Sequence, residues 1–138
     1  MITGYQLAII SAGVFFLNAL LTGVWKYLEI SASEQARAHP YVDIAHRSSL
    51  MYSFAALLLA VFLEISELPE RVEFFAVLFP LASFAMAIMT YMVQGYLKRT
   101  DNQLRDAPAS TAWFMWSLVV AETGGFLVIF YGVLSAIL

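Results

Sequence analysis

The stretch YQLAIISAGVFFLNALLTGVWKY, residues 5–27, carries no charged side chain between Leu7 and Val24. A helix of roughly 20 mostly apolar residues crosses about 30 Å of hydrocarbon. This run is long enough to do so. Three similar runs follow, at about residues 40–65, 72–97 and 110–138. Short connections between them predict an all-α integral membrane protein, an antiparallel four-helix bundle forming a single transmembrane domain over residues 1–138. Pro40 suits the first turn of a helix, where a missing N–H costs nothing. Pro80 falls inside the third run and predicts a kink there. Ser110 or Thr111 is the expected N-cap of the fourth run.

The composition agrees. Soluble domains are about 45–50% apolar and about 25% charged. Here 62% of the 138 residues are hydrophobic and 12% are charged. Mean hydropathy is +0.79. A net charge of −3 with no basic patch gives no nucleic-acid signal. With no cysteine, thiolate metal sites, iron–sulfur clusters and c-type haem are excluded. The first run has no basic segment before it and no A-x-A-like cleavage site, so it is expected to be a retained helix.

Charge sets the expected orientation. Lys26, Arg37 and Arg47 flank the first loop, and Lys98, Arg99 and Arg105 flank the third. The second holds Glu64, Glu67, Glu70 and Glu73 against Arg71 alone. The positive-inside rule puts loops one and three in the cytoplasm and both termini outside, with a bacterial inner membrane as the expected location. Tyr5, Trp25, Tyr27, Tyr41, Tyr96, Trp113 and Trp116 fall near the expected interfaces and read as anchors.

Each run also carries polar or small residues at helical spacing. Run one has Ser11, Asn18 and Thr22. Run two has His46, Ser49, Ser53, Ala56 and Ala60, ending at Glu64. Run three has Ser83, Ala87, Thr90 and Gln94, with Tyr91 alongside, and run four has Glu122, Gly125 and Gly132. The Ser, Ala and Gly positions read as helix packing, which in lipid relies on small residues and interhelical hydrogen bonds. Glu122 is different. A carboxyl so far inside an apolar run needs a partner or a proton, and a functional or cofactor-linked role competes with packing there.

The only two histidines are His39 and His46. His39 precedes Pro40 and reads as a capping or solvated residue. His46 opens the second run and faces a row of small residues. A buried imidazole hydrogen-bonded to a carbonyl is the plainer reading. A ligand to a metal or haem iron is the sharper one. A bis-His haem takes its ligands from two helices, and these histidines share one segment. A haem with one protein ligand, or one lying between subunits, would fit. Three convergent ligands for zinc are not visible.

The segment Ala45-His46-Arg47-Ser48-Ser49-Leu50-Met51-Tyr52-Ser53 resembles the start of the second span in styrene oxide isomerases and hydroxylaminobenzene mutases. These are small four-span membrane isomerases. The shared elements are the Ala-His pair, small residues one turn later, a short polar first loop and similar length. Ala38-His39 offers a second register. The resemblance implies a non-covalent haem b with His46 as axial metal ligand, shared between protomers of a trimer. Arg47, Ser49, Ser53 and Glu122 are the remaining candidate cofactor residues. Where that family has Asn-Gly, this chain has Tyr52-Ser53.

Two functions follow as expectations. In the first, haem iron acts as a Lewis acid on an epoxide or N–O oxygen of a small hydrophobic substrate. Asn18, Tyr52 and Tyr91 are then the candidate catalytic residues that position the oxygen. In the second, the chain is a non-enzymatic small subunit of a larger membrane complex, and its polar rows are docking faces. The motif Lys98-Arg99-Thr100-Asp101-Asn102-Gln103 reads as a helix end. Its alternative is a contact to haem propionates or a partner through Arg99 and Asn102.

Overall fold

A computed structural model of the protein describes residues 2–102, 104–105 and 109–138. Among them are four helices and no strand: α1 (Gly4–Ala32), α2 (Pro40–Ile65), α3 (Glu70–Leu97) and α4 (Ala109–Ile137). Each is long and apolar enough to cross a membrane. The expected four-helix membrane bundle is therefore present.

Local chemistry explains the helix ends. At α1, the Gln6 N–H donates to Thr3 Oγ1 at 3.2 Å and the Thr3 N–H donates to Gln6 Oε1 at 3.1 Å. This reciprocal capping box satisfies two otherwise orphaned donors. His39 caps α2, its Nδ1 accepting from the Tyr41 N–H at 3.3 Å, and Pro40 follows it. The capping role expected for His39 holds. Lys98 closes α3 in the left-handed region, with φ 50° and ψ 31°, and its N–H donates to the Gln94 carbonyl at 2.9 Å. Asn102 then orders the turn beyond, its Oδ1 accepting from the Leu104 N–H at 2.9 Å. The helix-end reading of that motif therefore holds for Lys98 and Asn102. Gln103 lies outside the described residues.

Three boundaries differ from expectation. α1 runs to Ala32, a turn beyond residue 27. The added turn carries Glu29, whose carboxylate accepts from the His39 N–H at 2.8 Å and pairs with Lys98 at 2.7 Å. A polar turn is stable there because it ties α1 to the first loop and to the end of α3. α3 starts at Glu70 rather than residue 72, and Glu70 and Glu73 lie in its first turn, where the helix dipole favours acids. α4 starts at Ala109, so Ser110 and Thr111 sit in its first turn and neither caps it.

The helices do not form a closed square. α2 and α3 pack on each other, and each also touches both α1 and α4. Among the described residues, α1 and α4 make no contact. α2 and α3 are thus the short diagonal of a rhombus. Its seams are lined by small residues: Ala8, Ala45, Ser49, Ala56, Ala60 and Ser83 are almost completely buried. Small side chains let helix backbones approach closely, which matters in lipid because apolar surface alone does not drive helices together. The row on α2 leaves the core before Glu64, which is exposed, and Leu63 takes the buried place. Tyr41 is also not a lipid-facing anchor. It is 5% exposed and stacks on Tyr91 at 6.2 Å between ring centres. Trp113, Trp116 and Tyr96 do face outward.

α3 and α4 cross closely at Gly125. Pro80 has no N–H, so the Ala76 carbonyl four residues earlier loses its usual donor. A Cβ built on Gly125 would collide with that same Ala76 oxygen, and would lie 2.6 Å from Pro80 Cδ and Cγ. The α3–α4 crossing is therefore possible only because residue 125 has no side chain. It also places the freed carbonyl beside Gly125.

Candidate functional site

Two polar seams emerge, on different sides of α2. The first lies between α1 and α2 and reaches α3. His46 Nδ1 lies 2.9 Å from the Ala19 carbonyl. A carbonyl only accepts, so Nδ1 carries the proton, and a neutral ring then keeps its lone pair on Nε2. The imidazole lies over Gly23, where a Cβ would sit 3.0 Å from Cε1 and 3.2 Å from Nδ1. One turn deeper, Asn18 Nδ2 donates to Ser49 Oγ at 2.8 Å and approaches Met92 Sδ at 3.5 Å. Ser49 donates in turn to the Ala45 carbonyl at 2.7 Å, and Ser53 donates to the Leu50 carbonyl at 2.6 Å. Thr22 donates to the Asn18 carbonyl at 2.7 Å. These hydroxyls and the amide are used in helix packing.

Above this seam lies an ion-pair set. Asp43 bridges Lys26 at 2.5 Å and Arg47 at 2.8 Å. Arg47 is 65% exposed, so its guanidinium remains accessible despite the pairing.

The second seam contains a cavity of about 320 Å³ enclosed by α2, α3 and α4. Tyr52 comes from α2; Ala87, Thr90, Tyr91 and Gln94 from α3; Thr111, Phe114, Met115, Leu118, Val119 and Glu122 from α4. Tyr52 is held by stacking on Phe84, with ring centres 4.2 Å apart and planes 11° from parallel. Tyr91 is held by its stack on Tyr41. Glu122 sits midway along α4 and makes no hydrogen bond or ion pair with any described residue. It also borders a second, more apolar cavity of about 270 Å³, with Ala55, Leu58, Pro80, Phe84 and Phe126. The carboxyl thus stands at the boundary between the two spaces.

The candidate residues of the sequence therefore divide. Tyr52, Tyr91 and Glu122 come together at the cavity. His46, Asn18, Ser49 and Ser53 belong to the other seam, and Arg47 to the ion-pair set at its end. His46 and Tyr52 are six residues apart on α2, which places them about 9 Å apart along the helix and about 120° apart around it. An oxygen held by Tyr52 and an iron held by His46 would not meet inside one chain. Gln94, Thr90 and Thr111 join the cavity beside the named residues. The i, i+4 spacing of Thr90 and Gln94 is the sequence signal for two of them; Thr111 lies in the first turn of α4 and lines the cavity instead of capping the helix. Among the described residues, no group of three acidic or histidine side chains could hold a metal ion.

Comparisons with known protein families, with curated proteins and with solved structures find no match for this chain. The isomerase resemblance accordingly rests on the span-two residues, the short polar first loop and the similar length.

Proposed function

We propose that the protein is a membrane receptacle for a small lipophilic molecule, which enters from the bilayer and lodges between α2, α3 and α4. One observation carries this reading. A carboxyl without a hydrogen-bond or ion-pair partner among the described residues sits at the midpoint of an apolar helix and faces a cavity with two phenols and an amide. Ionisable groups inside a membrane domain are costly, and those retained there mark ligand or ion sites by default. The volume of about 320 Å³ lies at the small end of the roughly 300–1,000 Å³ of ligand sites, which suits a single-ring or short-chain molecule. Tyr52, Tyr91, Gln94 and Glu122 hold its polar end, and Leu118, Val119 and Phe114 hold its apolar body. Loops one and three face the cytoplasm in this account, as the basic residues indicate.

The test is photolabelling in lipid nanodiscs with a small lipophilic diazirine, followed by mapping of the adducts. Adducts should concentrate on Met115, Tyr52 and Gln94, and Ala87→Trp should remove them by filling the cavity. Labelling spread evenly over lipid-facing residues such as Leu17 and Leu21 would end this reading.

A second reading is a haem-dependent isomerase assembled between copies of the chain. The Nδ1–H bond to the Ala19 carbonyl favours it, because axial histidines are held by such a bond while Nε2 faces the metal. His46 and Arg47 suit a haem iron and a propionate respectively. Ser49, Ser53 and Glu122 do not, being committed to packing or placed on the other seam. A haem there would supply Lewis-acid chemistry, and the chain's part is to orient the imidazole and to exclude water with the apolar faces of α1 and α2. A trimer of the chain would close the site. Protein purified from haem-replete cells should show a Soret band that His46→Ala removes. Absence of that band sinks the second reading and leaves the first untouched.

A further inference from the structure

We infer that the molecule held at Glu122 is a small lipophilic cation, an aryl- or alkylammonium ion, paired with the Glu122 carboxylate. This rests on the cavity being a ligand site. The wall supplies three aromatic rings, Tyr52, Tyr91 and Phe114, and three uncharged polar side chains, Thr90, Gln94 and Thr111. Among the described residues, no Lys, Arg or His lines it. The nearest basic residue along α3 is Lys98, just past the helix end, and it is engaged by Glu29 at 2.7 Å. Nothing cationic in the described structure closes on Glu122.

A carboxyl in a low-dielectric site takes up either a proton or a positive partner, and no such partner stands beside Glu122 among the described residues. A ligand ammonium supplies that charge. Aromatic rings around it add cation–π attraction, worth about 0.5–2 kcal/mol per well-placed ring. An anionic ligand would meet repulsion from Glu122. Among the described residues, a metal ion would find one carboxylate and no second acidic or histidine ligand in the wall. The second cavity, lined by Leu58, Phe84 and Phe126, sits on the other side of the same carboxyl. An amphiphile with its head at Glu122 and its apolar tail in that space would use both.

The experiment compares two molecules of the same shape, benzyltrimethylammonium and its uncharged carbon isostere neopentylbenzene. Each competes against the diazirine label with the wild-type chain in nanodiscs. The ammonium should displace the label from Met115 and Tyr52 at a concentration at least about tenfold lower than the isostere. Glu122→Gln, which keeps size and removes charge, should abolish that preference while leaving the isostere's competition unchanged. Glu122→Asp should retain the preference, and guards against a Gln variant that is merely misfolded. Equal competition by the two molecules in the wild type, or an unchanged preference in Glu122→Gln, overturns the charge assignment while the cavity reading stands. A label that never enters the cavity overturns both.

Discussion

Gly125→Ala should loosen the α3–α4 crossing, and its size follows from the geometry. The new Cβ would lie 2.6 Å from Pro80 Cδ and Cγ, where ordinary contact begins near 3.4 Å. The helices must separate by the difference, 3.4 − 2.6 = 0.8 Å, and by more at the Ala76 oxygen. Neither obstacle can swing aside, because one is a proline ring and the other is backbone. Overpacking of this kind costs about 1–3 kcal/mol. The adjacent Gly124 is an internal control, since a Cβ there meets nothing within 4 Å. Gly124→Ala should change stability by less than about 0.5 kcal/mol, or raise it slightly through helix propensity. The assay is reversible unfolding in mixed micelles by titration with denaturing detergent, both variants side by side. A Gly125→Ala variant as stable as Gly124→Ala would refute the close-crossing argument. The same shift should reach the cavity, because Glu122 lies one turn from Gly125 on α4, so label uptake should change in the first variant only.

Other outcomes follow from the two seams and the loop. Gly23→Ala places a Cβ 3.0 Å from His46 Cε1, so the imidazole should lose its bond to the Ala19 carbonyl; the ¹⁵N shift of Nδ1 reads this, and an unchanged shift contradicts it. Glu29→Gln should destabilise by about 1–3 kcal/mol, because it weakens a charge-assisted bond from the His39 N–H and strands Lys98. Asp43→Asn should cost less, at most about 1 kcal/mol, because the Asp43 carboxylate is itself more exposed than that of Glu29, 30% against 14%, and so more solvent-screened. Equal losses for the two would show that burial is not what separates them. With no native cysteine, single Ser33→Cys and Glu67→Cys variants report orientation cleanly: an impermeant maleimide added outside intact cells should label residue 67 and spare residue 33.

The spans were legible because twenty apolar residues in a row have few alternatives, and charge bias marked the loops. His39 as a cap and the Ser and Ala rows as packing were also readable, since proline position and side-chain size act locally. Three things were not. Which seam a side chain faces depends on the rotation of each helix about its axis, so the separation of His46 from Tyr52 and Glu122 required the packed structure. The rhombic layout, with α1 and α4 apart, depends on where small residues permit close approach, and Gly125 against Pro80 is a pairing between distant parts of the chain. Tyr41 looked like an interface anchor because sequence gives depth along a helix and not direction around it. Its ring turns inward to support Tyr91, which is how a residue outside the cavity helps to shape it.

Glu122 and the space beside it form the proposed ligand site. Mapping the diazirine adducts on wild-type protein in nanodiscs, with and without excess benzyltrimethylammonium, tests it most directly. Adducts at Met115, Tyr52 and Gln94 that disappear with the ammonium are the predicted result. Adducts confined to the outward faces of α1 and α4, unaffected by the competitor, would contradict it.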